Sequence, residues 1–379
     1  MAQSSPVAIK KHFRKLRDPR LRRRHLLVDI IVIAICAVVS ECDGWEDIGL
    51  FAKKRASWFK RFLALPHGVP SHDTFRRVFN RLDPAAFGAC FQSWIRTLSD
   101  VVGLAHIAID GKTLRRSFDR SSDLGPLHLV SAWATQQHLT LGQVAVDGDS
   151  NEITAIPKLL ALLDLHGALV TLDAMGCQKE IASQIVAGGG DYILTVKDNQ
   201  GHLLKDIQTT VERALDDQLP AAQVSRHTTQ ERGHGRTERR SYVVVHNIEG
   251  IHDRGAWPKL KSVGMCYSER TLDGQTSSET RYFISSRRMS AQRCGAALRQ
   301  HWRIENCLHW QLDMNFDEDA SRIRNRNAAE NCAWLRRMAI SLLKQNPAKM
   351  SLRQKRKAAA LDPAFLEEIA RGPAKLGDA

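Results

Sequence analysis

Apolar residues recur at helical spacing through the first hundred residues. The run Leu26–Val39 is almost continuously apolar, and large apolar side chains follow it at intervals of three and four. This run contains Asp29 and is shorter than the roughly 20 residues that a helix needs to cross a bilayer. We therefore predict a buried helix here, within an all-helical, basic segment over residues 1–100.

A second helix is predicted after the break at Pro66–Pro70. Ser71 or Asp73 can cap its first turn, and Phe75 begins an apolar stripe. The same stretch carries three arginines, so a short turn followed by a basic helix is compatible with helix-turn-helix DNA binding. An ordinary helical bundle explains the pattern equally well.

From residue 106 the pattern changes to short apolar runs typical of strands. We predict strands at His106–Ile109, Leu127–Ala134, Leu139–Val146, Ala168–Leu172 and Tyr192–Val196. Helices are predicted at Glu152–Leu165 and Gln178–Val186. Three antiparallel strands followed by two parallel crossovers is the order of the ribonuclease H-like fold. We therefore expect an α/β core with a mixed five-stranded sheet and flanking helices.

Beyond Gln200 the regular alternation of strands and helices stops. Strand-like runs at Tyr242–His246, Val263–Tyr267 and Tyr282–Ser285 indicate a β-rich insertion over residues 201–297. Helical periodicity then returns, at about Ala291–Asp313, Ala328–Lys344 and Pro363–Arg371. The predicted segments are 1–100, the first core part 101–200, the insertion 201–297, the core helices 298–345, and a basic helical tail 346–379.

Charge adds the first functional indication. The 379-residue chain has a net charge of +14. Its basic residues form dispersed clusters: Lys10 to Arg24, then Arg322, Arg324, Arg326, Arg336 and Arg337, and finally Arg353, Lys355, Arg356 and Lys357. Dispersed patches suit a long polyanion such as nucleic acid, although any one cluster could be a solvated helix face.

The cysteines and the N-terminus indicate a reducing compartment. Eight cysteines occur without a CxxC pair, and nothing completes a zinc site around Cys307 and His309. The N-terminus is polar and then basic, unlike a signal peptide. We expect reduced, mostly buried thiols in a cytosolic protein without membrane attachment.

Three acidic residues stand where metal ligands are expected. Asp110 and Asp173 follow predicted strands, where the active groups of open α/β sheets gather. Glu305 shares a helical face with Leu308 and Leu312, and a carboxylate on an apolar stripe needs a compensating cation. Two divalent ions need several hard oxygen ligands, which these three acids can supply. A turn, a helix cap or a local ion pair would explain each acid taken singly.

Polar groups flank the acids. Lys112 follows Asp110, and the last core strand ends in Lys197, Asn199 and Gln200. These side chains can donate hydrogen bonds to phosphates, or they can simply form a polar turn.

Several long motifs resemble those of bacterial insertion-sequence DDE transposases of the H-repeat-associated kind. In the catalytic region they are IAIDGKTLRRS (Ile107–Ser117), SNEITAIPKLL (Ser150–Leu160), TLDAMGCQKEIA (Thr171–Ala182), GGDYILTVKDNQG (Gly189–Gly201) and HWRIENCLHWQLDMNFDEDASRIRNRNAAEN (His301–Asn331). In the N-terminal region they are GWEDIGLF (Gly44–Phe51) and VPSHDTFRRVF (Val69–Phe79). The resemblance covers nearly the whole chain.

This resemblance implies a ribonuclease H-like core interrupted by a β-rich insertion. It also implies cleavage of element ends and strand transfer, with Asp110, Asp173 and Glu305 as the catalytic acids that bind two Mg²⁺ ions, or Mn²⁺ in their place. Asp313 and the acids at 317–319 follow closely, and one of them could assist or replace Glu305.

The resemblance also has departures. The broader group often has a tyrosine and an arginine before the glutamate and a lysine after it, where this chain has Leu298, His301 and Leu312. We predict that His301, His309, Arg322 and Arg324 contact the DNA in place of those family residues.

The implied partners are double-stranded DNA, as element terminal repeats and as target, and a second copy of the chain, because paired ends need a homodimer. Two alternatives remain open. One is a catalytically inactive, transposase-derived DNA-binding protein, and the other is a ribonuclease H-like nuclease that does not transpose.

Overall fold

The computed structural model describes residues 7–99, 105–118, 125–146, 150–233 and 235–372. Contacts divide the chain into two compact units. The first unit comprises residues 1–103, 111–149 and 305–379, and the second comprises residues 104–110 and 150–304. The predicted segment boundary between residues 100 and 101 lies outside the described residues. The five-segment division therefore stays a prediction from the sequence.

The helices and strands have the following bounds. The helices are α1 (Val7–Phe13), α2 (Leu27–Val39), α3 (Trp45–Lys54), α4 (Ala56–Phe59), α5 (His72–Arg81), α6 (Pro84–Ser99), α7 (Glu152–Leu160), α8 (Lys179–Ala187), α9 (Gly201–Leu215), α10 (Ala291–His301), α11 (Trp310–Phe316), α12 (Arg326–Gln345), α13 (Leu352–Leu361) and α14 (Pro363–Arg371). The strands are β1 (His106–Leu114), β2 (Leu127–Ala134), β3 (Leu139–Ala145), β4 (Leu169–Leu172), β5 (Asp191–Val196), β6 (Val224–Gly233), β7 (Arg236–Val245), β8 (Ser262–Leu272) and β9 (Gln275–Ser285).

The first unit is built around two buried helices. Twelve of the thirteen residues of α2 are buried, which confirms the predicted buried helix, and the backbone N–H of Leu65 donates to its Asp29 at 3.0 Å. Helix α12 packs on α2, α5, α6 and β3. The side-chain amide of Asn331 in α12 donates to the carbonyl oxygens of Phe79 and Leu82, which are left unsatisfied where α5 ends.

The second unit contains parallel strands joined by helical crossovers. The N-terminal half of β1 pairs in parallel with β4, and β4 pairs in parallel with β5. Asn151 caps α7 through the backbone N–H of Ile153, and α8 ends at Gly188, as its glycine-rich sequence predicts. These predicted core elements are confirmed to within a few residues, apart from α7, which ends five residues early.

The insertion enlarges the sheet. Strands β6, β7, β8 and β9 form an antiparallel meander, and β9 pairs with β5. The described strands therefore form a nine-stranded mixed sheet in the order β3-β2-β1-β4-β5-β9-β8-β7-β6. The mixed α/β class is confirmed. The predicted five-stranded core sheet is not confirmed, because the insertion's strands continue the same sheet.

Two element predictions need correction. Strand β1 continues through Asp110 to Leu114, so Asp110 follows only the part that pairs with β4. The predicted helix Ala291–Asp313 is interrupted, because α10 ends at His301 and a π-helical turn occupies Glu305–His309 before α11. Within the described residues, none of the helices combines the length and apolarity that crossing a membrane requires.

Candidate active site

Two acidic residues directly follow paired residues of neighbouring parallel strands in the second unit. Ile109 of β1 is the register partner of Leu172 of β4, and Asp110 and Asp173 are the next residues on each chain. Paired residues of a parallel sheet point to the same face, and adjacent strands lie about 4.8 Å apart. The register therefore brings the backbones of Asp110 and Asp173 close together at the end of the paired segment.

Asp173 is half-buried and held by the loop that follows it. Its Oδ1 accepts the backbone N–H of Met175 at 3.1 Å and that of Gly176 at 3.4 Å. A side chain at Gly176 would approach Leu172 to 2.9 Å, so glycine is needed for this tight loop. Burial raises the pKa of Asp173, and the two N–H groups and Lys197 oppose that rise. Glu152 raises the same pKa further, so this carboxylate lies where additional positive charge would stabilise its ionised form.

Two amide side chains fix that loop from the end of β5. Asn199 donates from Nδ2 to the carbonyl oxygen of Ala174 at 2.8 Å, and Gln200 donates from Nε2 to that of Cys177 at 2.9 Å. Lys197 is exposed beside them. The amides thus position the loop after Asp173, a role that the sequence did not indicate, while Lys197 remains available to a phosphate.

A buried set of hydrogen bonds links His106, Thr171 and His301 in the second unit. The Oγ1 of Thr171 is 3.0 Å from the Nε2 of His106 and 3.0 Å from the Nδ1 of His301. Burial lowers the pKa of each histidine to about 4. His301 is only 4% exposed, so its side chain is not on the surface and the predicted DNA contact through it is withdrawn.

Glu305, in the first unit, does not lie on a buried stripe. Leu308 and Leu312 are buried, as predicted, whereas Glu305 is exposed at the start of the π-helical turn. In a π turn the hydrogen bonds join residues five apart, which changes the faces assigned from helical spacing. Such turns are frequent at functional sites. The proposed role of Glu305 as the third acid therefore no longer rests on burial.

Lys112, also in the first unit, is enclosed by acids. It is 8% exposed, and its Nζ lies 2.7 Å from Asp313 and 2.9 Å from Asp319. Burial raises the pKa of Asp313, and Lys112 opposes that rise. Because the ammonium group is already paired with two carboxylates, the predicted phosphate contact of Lys112 is withdrawn. No sequence spacing indicated this cluster.

The other predicted contacts differ in accessibility. Arg322 and Arg324 are exposed and line a groove of about 620 Å³ in the first unit. His309 is half-buried. Glu318 is completely buried against Arg337 at 3.0 Å, so it is not available as a replacement for Glu305.

Among the residues that the structure describes, no group of three or more His, Cys, Asp or Glu side chains lies close enough to hold a metal ion.

All eight cysteines are described and none is disulfide-bonded, but only four are buried, so the thiols are less buried than predicted.

Comparison with known proteins identifies the family. A model described as "DDE_Tnp_1-associated" matches residues 10–95, and one described as "Transposase DDE domain" matches residues 103–342. The second match covers more than half of the chain, so this chain belongs to the transposase DDE domain family.

Its relatives include transposases of the kind that the motifs indicated, which confirms that resemblance. The chain is 39% identical to "H repeat-associated putative transposase YhhI" of Escherichia coli (strain K12), over 92% of this chain and 93% of that protein. It is 40% identical to "Putative transposase YncI" of Escherichia coli O157:H7, over 93% and 91%. A solved piggyBac transposase synaptic complex with hairpin DNA aligns over 97% of this chain and 78% of that chain, with a TM-score of 0.43 and 11% identity. The family and the curated relatives support a role in transposition.

Proposed function

We propose that this chain is a DNA transposase of an insertion sequence that binds element ends and catalyses metal-dependent strand cleavage and strand transfer. Asp110, Asp173 and Glu305 would be its catalytic acids. The observation that carries the proposal is the register of β1 and β4, in which Asp110 and Asp173 directly follow the paired residues Ile109 and Leu172. The strand order β3-β2-β1-β4-β5 supports a ribonuclease H-like core.

The residues suit two divalent cations, Mg²⁺ or Mn²⁺. Asp110 and Asp173 can supply hard oxygen ligands. Burial and the nearby Glu152 raise the pKa of Asp173, so a positive charge beside it would stabilise its ionised form. Glu305 offers an exposed third carboxylate. When bound, the ions would supply Lewis acidity at the scissile phosphate and activate the attacking hydroxyl group or water.

The protein's own groups orient the acids. The backbone N–H groups of Met175 and Gly176 fix one oxygen of Asp173 and leave the other free to bind. Asn199 and Gln200 hold the loop that carries those N–H groups. Arg322, Arg324 and Lys197 are exposed cations that can neutralise phosphates of the bound duplex. A homodimer that pairs two element ends is part of the same proposal.

The test is cleavage of labelled duplex DNA that carries the flanking element's end. With Mg²⁺ or Mn²⁺, we expect the wild type to cut at the terminus, and Asp110→Asn, Asp173→Asn and Glu305→Gln to retain less than about 1% of that rate, since each removes a charged ligand. Asp216→Asn, an exposed acid at the end of α9, is the matched control and should cut normally.

Each departure from this result has a meaning. Normal cutting by Glu305→Gln would move the third ligand to Asp313, Asp317 or Asp319. Binding without cutting by the wild type under both metals would favour an inactive, DNA-occupying protein. Equal cutting of RNA and of unrelated DNA would favour a nuclease that does not transpose.

A further inference from the structure

A groove in the first unit is lined almost entirely by basic and small polar side chains. It has a volume of about 690 Å³, and no aspartate or glutamate is among its lining residues. We call it the basic groove. Its lining residues come from two stretches, 20–25 and 67–81. Its cations are Arg20, Arg22, Arg24, Arg77 and Arg81, and the side chains of His25 and His67 also line it.

One wall of the basic groove is the polar face of α5. Phe75, Val78 and Phe79 are fully buried on the other face of this helix. Thr74, three residues before Arg77, stands on the same face as both groove arginines, because positions i, i+3 and i+7 align on a helix. The packing of the aromatic side chains therefore directs two guanidinium groups into the groove.

The opposite wall is a short segment with a fixed conformation. Asp18 accepts two hydrogen bonds from the side chain of Arg20, at 2.9 and 2.8 Å, and one from its backbone N–H at 3.1 Å. Arg20 also donates to the carbonyl oxygen of His25. The Nδ1 of His25 lies 3.2 Å from the carbonyl oxygen of Gly68. These bonds shape the segment, and Arg22 and Arg24 stand exposed on it.

Four of the arginines in the basic groove form no ion pair with a described carboxylate. In the described parts of the chain, no carboxylate lies within ion-pair distance of Arg22, Arg24, Arg77 or Arg81. By contrast, Arg76 on the same helix pairs with Asp73 at 2.7 Å. Four like charges in one concave surface repel one another unless an anion neutralises them.

We infer that the basic groove holds the sugar–phosphate backbone of one strand of duplex DNA. The inference rests on the proposed function only in taking DNA as the partner. A concave surface receives a ridge, such as a phosphodiester backbone, whereas a recognition helix must protrude into the major groove to read base edges. Guanidinium groups bind phosphates without regard to sequence. The basic groove therefore contributes affinity rather than choice of sequence.

The test is binding of two fluorescent duplexes, one with the element end and one of unrelated sequence, at several salt concentrations in EDTA. The groove variants are the double substitutions Arg22→Gln/Arg24→Gln and Arg77→Gln/Arg81→Gln. The matched control is Lys53→Gln/Lys54→Gln, which also removes two exposed positive charges from the first unit, at the end of α3. All four proteins are checked for equal melting temperatures.

We expect each groove variant to lose about tenfold or more in affinity for both duplexes alike. The slope of log Kd against log salt should fall by about two, one for each lost phosphate contact. The control should change neither quantity. An equal loss in the control, an unchanged groove variant, or a loss confined to the element end would overturn the inference, the last in favour of base readout by α5.

Two further outcomes separate this inference from others. Absence of wild-type binding to any duplex would overturn it. So would a groove-dependent affinity for anionic lipid vesicles in place of DNA. Because the assay contains no divalent metal, it does not depend on cleavage. Failure of the cleavage test together with groove-dependent binding would leave this inference standing and refute the catalytic proposal.

Discussion

At the scale of single residues, Glu318 is a buried carboxylate that lies beside two arginines inside the first unit. It is completely buried, 3.0 Å from Arg337 and 3.9 Å from Arg336. Arg337 also donates from Nε to Ser131 at 3.3 Å. From the sequence alone, Glu318 is a candidate metal ligand, and the two arginines belong to a basic cluster expected to bind DNA. The sequence could not predict this pairing, because the partners are 18 and 19 residues apart and only the packing of α12 brings them together.

Glu318→Gln should lower the free energy of unfolding by about 3 kcal/mol. Removing one partner of a buried ion pair leaves the other charge uncompensated, and two arginines depend on this carboxylate. Urea unfolding checks the prediction. Glu46→Gln, an exposed acid of α3, is the control and should change stability by less than about 0.5 kcal/mol. Similar losses in the two variants would show that Glu318 is not important for stability.

At the scale of elements, buried strand halves were predictable and exposed halves were not. Tyr242–His246 and Tyr282–Ser285 are apolar and lie within or beside the inner parts of β7 and β9. The outer parts of these strands are mostly polar and exposed, so the alternation that marks a half-buried strand is missing. Only pairing with β6 and β8 defines them. The helical periodicity of the sequence likewise did not predict the π-helical turn at Glu305.

The contact between α10 and β4 should make stability depend on pH. The folded protein keeps His106 and His301 neutral down to a pKa of about 4, whereas an unfolded histidine protonates near pH 6.5. The unfolded state then binds more protons between these values, so stability falls as the pH falls from about 6.5 to 4. At pH 5 the loss relative to pH 7 should be about 2 kcal/mol for each histidine.

His301→Gln tests this dependence, because glutamine cannot take up the proton. Denaturant unfolding at pH 7 and pH 5 should give a difference about 2 kcal/mol smaller than in the wild type. His202→Gln replaces an exposed histidine of the second unit and should leave the difference unchanged. A wild-type difference retained in full by His301→Gln would contradict the prediction.

At the scale of the whole molecule, the net charge of +14 is only partly available to a partner. Arg336, Arg337, Lys355 and Arg356 are buried. Arg356, for example, donates to Asp43 at 2.9 Å and to the carbonyl oxygen of Val38 at 2.8 Å. The exposed basic side chains of the described residues include Arg22 and Arg24, Arg77 and Arg81 of α5, and Arg322 and Arg324.

Binding of the wild type to duplex DNA should weaken steeply with salt. If six or more phosphates are neutralised, raising monovalent salt from 50 to 200 mM should lower the affinity by about a thousandfold, because released counterions drive the association. Fluorescence anisotropy across this range measures the slope. A change of less than about tenfold would indicate that the exposed arginines are ordinary surface residues.

The sequence by itself determined the local features of this protein. Apolar periodicity located α2, α5, α8 and the core strands, because burial of one face depends on residue spacing along the chain. It also placed Asp110 and Asp173 after apolar runs, and its motifs indicated the family.

Only the tertiary structure decided which polar groups are accessible. In the folded protein, His301 is buried beside Thr171, and Lys112 is paired with both Asp313 and Asp319. The tertiary structure also joined the insertion to the sheet through β9 and left four arginines of the basic groove without an ion pair to any described carboxylate. These outcomes depend on contacts between residues far apart in the chain, because the free energy of a charged or polar side chain is set by what packs around it rather than by its neighbours in sequence.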